Sequence, residues 1–262
     1  LIGKKTDLNL NHLKAIISYP DKSQFKDLLL DNSNLEEVAK NWITSQNKIN
    51  SDKTIRFFKT HNMLGSFKNY PFTDADNTLA TIHIVRDPRN VITSLKNHYN
   101  LNNYSEAKDF LFFDKQILTL SKQEKEKYSN KNHPLPQIIG SWKTHYLSWK
   151  NMKKNYLLVK YEDLIANPIN GFMKISKFIS QNLKLKFSDE QILNAIKSSS
   201  FNNLKEMENT YGFTESSTNE DGNKNKFFYL GPKNNWENIL DESTVNNINR
   251  EFKLEMKELD YL

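Results

Sequence analysis

Apolar residues follow two different periods along this chain. TIRFFKT (54–60), ATIHIV (80–85) and NYLLVKY (155–161) are short, β-branched and aromatic, and two of them are nearly continuous apolar runs. Runs of that length and make-up predict strands buried in a parallel sheet. Elsewhere the period is helical. Ile138, Ile139, Trp142, Tyr146 and Trp149 keep helical spacing, as do Phe110, Leu111, Ile117 and Leu118, and each set predicts a helix whose aromatic stripe is core. SDEQILNAIKSSSF (188–201) opens with Ser188 and Gln191 spaced as a capping box, and the tail repeats Val245, Ile248, Phe252, Met256 and Leu259. Both predict helices. The polar stretch 215–225 predicts a mobile surface loop, and KQEKEKYSNKNHP (122–134) separates two helices. Strands alternating with helices imply an α/β fold with helices covering the sheet.

Composition narrows the chemistry. The 262 residues suit one domain, and a formal charge of +6 favours an anionic partner without choosing among nucleotide, nucleic acid and acidic sugar. With no cysteine, thiolate nucleophiles, disulfides and Cys-rich zinc sites are excluded, so any catalysis rests on oxygen and nitrogen groups. No apolar run approaches a membrane span, and LIGKKTDLNL has no signal-peptide pattern. These features predict a soluble, cytoplasmic protein.

The densest chemistry lies in IHIVRDPRNVITSLKNHY (82–99). Arg86 ends a predicted strand, Asp87 can cap the next helix, and Pro88 suits its first position. Val91, Ile92, Leu95 and Tyr99 form the predicted buried face, with Ser94 at its edge beside Asn90 and Asn97. In parallel α/β sheets ligands bind beyond the carboxyl ends of the strands, where free helix N–H groups favour an anion. Arg86 and Ser94 can therefore converge on a phosphate. A capped helix whose arginines pair with nearby carboxylates fits the spacing at least as well, and spacing alone leaves both open.

RFFKTHNML ends a strand at Lys59, Thr60 and His61. That places a cation and an imidazole at the same sheet edge as Arg86 if the strands are parallel neighbours, a suitable pair for proton abstraction and anion stabilisation. A His bonded to a backbone carbonyl is an equally good account. His83 is expected to be packed within its strand, and His145 lies between Trp142 and Trp149. No pair of histidines has metal-ligand spacing, so no metal is expected. Tyr161 follows a strand in LLVKYEDLIANP (157–168), and FFYLGPKNNW (227–236) reads as a lid-like loop.

Taken together, KTH, VRDPRNVITS, GSWKTHYLSW, VKYEDL, SSSF and the Gly-Pro-x-x-Asn-Trp loop resemble the sulfotransferase domain that uses 3′-phosphoadenosine 5′-phosphosulfate (PAPS), from about Thr54 to Trp236. The resemblance implies a three-layer fold, a mostly parallel sheet flanked by helices, related to the P-loop nucleotide transferases. It also implies transfer of a sulfuryl group from PAPS to a hydroxyl or amine. His61 matches the family's general base and Lys59 its assisting lysine. Arg86 and Ser94 match the pair that holds the donor's 3′-phosphate, Tyr161 a tyrosine near the nucleotide, Ser199 and Phe201 the groups around adenine, and Gly231 the glycine of the late phosphate loop.

Two departures stand out. Tyr229 and Leu230 occupy the positions where family members carry Arg and Lys before that glycine, with Lys233 as a possible substitute. The family's Pro-Lys-Ser-Gly-Thr-like loop for the 5′-phosphosulfate has no match either. YPDKSQF (19–25) lacks its Gly and Thr, and no strong strand is evident before it. The expectation is an enzyme, a sulfotransferase, with a single sulfotransferase-like domain over residues 1–262, N-terminally truncated and lacking its first strand and that loop, an absence that leaves the activity of the chain as given open. A small-molecule or carbohydrate acceptor is expected. A non-catalytic relative that binds the nucleotide is the second reading, and a nucleic-acid binder ranks last because no basic tract is interleaved with aromatics.

Overall fold

A computed structural model describes residues 10, 17–119, 134–152, 155–213, 215–216 and 225–262. They belong to two compact units, each assembled from separate stretches of chain. One comprises 1–14, 82–112 and 156–262, and the other 15–81 and 113–155. The predicted loop at 215–225 and the segment 122–134 fall almost wholly outside the described residues.

In the first unit the strand Thr81–Val85 pairs with Tyr156–Lys160, two of the three strands the apolar runs predict. Each leads directly into a helix, Pro88–His98 and Tyr161–Ala166 respectively. Asp87 caps the former by accepting Arg89 N, with Pro88 at the first position, as the sequence implies. Ser188 and Gln191 form both bonds of the capping box. Val85, Ile92, Leu111, Val159, Ile248, Phe252 and Met256 are buried in the core. The tail periodicity holds, but the helix breaks at Phe252 into Glu242–Glu251 and Lys253–Glu258. Tyr99 departs from its expected place: it is 38% exposed and lies tilted on Phe110, with ring centroids 4.9 Å apart.

In the second unit Ile17–Ser18 pairs in parallel with Phe58–Lys59. The strand predicted over 54–60 is thus reduced to two residues. Arg56 explains the loss: its guanidinium binds Asp52 at 2.6 Å and the Ile49 carbonyl at 3.0 Å, folding this segment back onto the preceding turn. The short strand ahead of Tyr19 was not evident in the sequence, and after it a 3-10 turn, Lys22–Phe25, is capped by Asp21.

A second difference concerns Ile117, Leu118 and Ile138. They pair as an antiparallel ladder, Ile117 opposite Ile138 and Leu118 opposite Gln137, instead of extending helices. In sequence the ladder follows Tyr104–Phe112, a helix of the first unit, and precedes Trp142–Lys150 in this one. The latter starts where Ser141 accepts Thr144 N and donates to Asp114 at 2.6 Å, a cap that fixes its first turn. Trp42, Phe72 and Trp149 meet edge to face at the core of this unit, with centroids 5.3 and 6.4 Å apart.

Candidate functional site

The two arginines of the RDPR joint divide the roles that spacing left open. Arg89 is the structural one. Its buried guanidinium pairs with Asp87 at 2.7 Å, donates to the Tyr261 carbonyl at 2.6 Å, and lies 4.0 Å from the Trp236 ring centroid. Arg86 turns toward the helix that follows it. Its Nη1 reaches Ser94 Oγ at 3.4 Å and its guanidinium carbon sits 4.4 Å over the Tyr161 ring. Stacking on an aromatic face holds a guanidinium flat while leaving its edge to grip an anion. Glu162 braces the joint, accepting Asp87 N at 3.0 Å and the Tyr261 hydroxyl at 2.8 Å. Burial and the Glu162 charge drive that phenol well above its usual range, so it remains a donor.

The late loop meets the same place. Gly231 has φ +54°, a left-handed conformation in which side chains are strained, and a β-carbon there would overlap the Phe201 ring. Glycine is therefore required by two independent constraints. Two residues on, Lys233 is exposed, whereas Asn234 is buried. Thr93 Oγ1 donates to Asn234 Oδ1 at 2.8 Å, and Asn234 Nδ2 donates to the Asn90 carbonyl at 3.0 Å and Ser94 Oγ at 3.4 Å. Asn90 Oδ1 in turn accepts Trp236 N at 3.1 Å. The buried carboxylate of Glu208 anchors the start of the loop by accepting Phe227 N and Phe228 N at 2.7 and 3.0 Å.

Between these groups lies a cavity of about 200 Å³, lined among others by Arg86, Asn90, Tyr161, Gly231 and Asn234. Glu162 also lines it, its carboxylate occupied by Asp87 N and the Tyr261 hydroxyl, and the remaining cation, amide groups and helix N-terminus fit a phosphate ester. The structure thus brings together Arg86, Ser94, Tyr161 and Gly231, with Phe201 packed behind Gly231. Ser199 is not drawn in: its hydroxyl donates to the Ala195 carbonyl at 2.6 Å within its own helix.

The second unit carries Lys59 and His61. Lys59 pairs in register with Ser18, and its carbonyl accepts Tyr19 N at 2.8 Å. The strand neighbour of Phe58–Lys59 is Ile17–Ser18, not Thr81–Val85. His61 is exposed, with Nδ1 3.3 Å from Gln137 Oε1. An amide oxygen can only accept, so in this contact Nδ1 is the donor. The following residues are rigidly seated. Asn62 is fully buried, its carbonyl accepting Trp149 Nε1 at 2.9 Å and its side chain accepting Ile138 N at 2.6 Å.

Two partners of His61 escaped sequence reasoning. Gln137 gave no signal, because its contact depends on the ladder that replaced the predicted helix. His145, which lies between two tryptophans in the sequence, hydrogen-bonds the His61 backbone. Burial pushes its imidazole down to about 4, aided by the proximity of His61. His83 is packed as expected, its Nδ1 2.8 Å from the Tyr156 hydroxyl. Among the described residues no group of His, Asp and Glu side chains has a metal-holding arrangement, and no helix is long and apolar enough to cross a membrane.

A family model described as "Sulfotransferase domain" matches residues 9–260. The 3-alpha-hydroxysteroid sulfotransferase of Cavia porcellus is 26% identical over 175 residues, covering 63% of this chain and 55% of that protein. Sulfotransferase 1B1 of Canis lupus familiaris is 23% identical over 248 residues, covering 86% and 77%. The chain spans about half the length of the two Cavia porcellus relatives it matches. Among solved structures, mouse sulfotransferase SULT7A1 complexed with PAP superposes with a TM-score of 0.51 at 21% identity, covering 82% of this chain and 71% of that one. Retinol dehydratase in complex with androsterone and inactive cofactor PAP gives a TM-score of 0.54 at 19% identity, covering 93% and 70%. These superpositions show a shared α/β fold.

Proposed function

Because the chain belongs to the sulfotransferase domain family, we propose that it transfers the sulfuryl group of PAPS to a hydroxyl or amine of a small-molecule or carbohydrate acceptor. The observation that carries this reading is the convergence of Arg86, Tyr161 and Gly231 on one cavity at the start of the helix Pro88–His98, with Ser94 bonded to Arg86. The names of the relatives, hydroxysteroid and amine sulfotransferases among them, support acceptors of that chemical kind. Residues 1–262 act in this reading as one domain.

When bound, the donor supplies a sulfuryl group already activated by a phosphate leaving group. The chain's residues do the rest. Arg86 grips the 3′-phosphate through its guanidinium edge, and Ser94 adds a neutral hydroxyl donor. Tyr161 keeps the guanidinium in plane. Gly231 lets the late loop approach the nucleotide closely, with Phe201 behind it. His61 accepts the acceptor's proton at Nε2 while Gln137 holds the Nδ1 proton. Lys59 offsets negative charge that develops nearby.

Two measurements on the chain test this. 3′-Phosphoadenosine 5′-phosphate should stabilise it by about 2.7 kcal/mol at a hundredfold excess over its dissociation constant, read as a rise in melting temperature. No shift at millimolar nucleotide overturns the donor reading. His61→Ala should retain that shift and lose about a hundredfold or more of sulfuryl transfer, assayed against a panel of phenols, alcohols and amines. Undiminished transfer removes His61 as the base.

A further inference from the structure

The late loop of this chain brings no cation to the cavity, since Tyr229 and Leu230 precede Gly231 and Lys233 is exposed and absent from the lining. What it brings is Asn234, a buried carboxamide inserted against the helix Pro88–His98. Its bonds decide how Ser94 behaves. A hydroxyl has one proton and two lone pairs. Ser94 Oγ receives Asn234 Nδ2 at 3.4 Å and Arg86 Nη1 at 3.4 Å, which fills both lone pairs and leaves its proton as the only capacity unspent. That proton goes to the Asn90 carbonyl at 3.3 Å, a long bond, and the same carbonyl already accepts Asn234 Nδ2 at 3.0 Å. Ser94 is exposed and its partners Arg86, Asn90 and Asn234 line the cavity, so an oxyanion held by Arg86 would compete well for a proton so weakly held, because hydrogen bonds to a charged acceptor are roughly twice as strong as neutral ones.

Resting on the donor reading above, we propose that Asn234 is a positioning residue for 3′-phosphate recognition, polarising Ser94 so that its hydroxyl can only donate to the anion. The late loop then works through an uncharged amide where a cation would otherwise act. The Asn90 carbonyl fixes the sense of the amide, because it can only accept and so takes Nδ2; Nδ2, and not the oxygen, then faces Ser94, while Thr93 gives its one proton to Oδ1. Selectivity for a 3′-phosphorylated nucleotide therefore depends on the orientation of one carboxamide as well as on the charge of Arg86.

The test compares the dissociation constants of 3′-phosphoadenosine 5′-phosphate and adenosine 5′-phosphate, a pair differing only in the 3′-phosphate, on the full chain. Asn234→Asp preserves shape but presents an acceptor that claims the Ser94 proton, and should reduce the ratio of the two affinities about tenfold or more. Asn234→Gly removes the amide without adding charge and should lower the ratio less. Because the ratio is taken within one variant, a general loss of stability leaves it unmoved. An unchanged ratio in Asn234→Asp overturns the proposal, as does a fall in Lys233→Ala that Asn234→Gly does not share. If the unmodified chain shows no preference between the two nucleotides, the donor reading itself has failed.

Discussion

His145 is a buried imidazole whose environment opposes its charge. The unfolded chain would protonate this residue near the ordinary 6.5, whereas the fold delays protonation to about 4. Between those values the unfolded state binds the extra proton, so stability is complete above about pH 6.5 and declines as pH falls toward 4. His145→Gln should flatten this decline, by on the order of 2 kcal/mol, as read from urea midpoints at pH 5 and pH 7.5. An equal decline in the variant would assign it to other groups. At this scale the sequence was informative about residue type and silent about pairing. Arg86, Ser94 and His61 stood out because each ends a strand or edges a helix. Gln137 and His145 acquire their roles only through contacts that no local spacing encodes.

Elements were legible where their pattern was long or capped. The two five-residue strands, the Asp87 and Ser188 caps and the periodic tail all appear where periodicity and capping chemistry place them. Ile117, Leu118 and Ile138 misled because an apolar residue every three or four positions also suits a two-residue ladder flanked by turns. The Phe58–Lys59 strand is short because a nearby Arg–Asp pair captures its upstream half. Of the loops, the one through Gly231 has the least freedom. Gly231→Ala must adopt a strained backbone and displace the Phe201 ring, so a loss of roughly 1–3 kcal/mol of stability is expected, together with weaker nucleotide binding. Calorimetry with and without nucleotide would measure both. A variant with unaltered melting and binding would show that the loop tolerates a side chain at this position.

For the whole molecule, a parsing into one α/β family domain came from motif order, and neither composition nor periodicity shows that the chain builds two compact units from interleaved stretches. That organisation separates the chemistry. Arg86, Ser94, Tyr161, Gly231 and Asn234 belong to one unit, Lys59 and His61 to the other. The net charge of +6 is consistent with the anionic donor proposed, and the guanidinium stacked over Tyr161 is the cation placed at the proposed site.

The seating of Trp236 has an optical consequence. The chain has four tryptophans, and Trp42, Trp142 and Trp149 all lie in one unit, leaving Trp236 as the only one in the other. Its indole faces the Arg89 guanidinium and its backbone N–H is held by Asn90, a residue of the cavity wall. The protein therefore carries a built-in fluorophore on its late loop, beside the cavity proposed to take the nucleotide. The emission change on adding 3′-phosphoadenosine 5′-phosphate should vanish in Trp236→Phe and persist in Trp142→Phe.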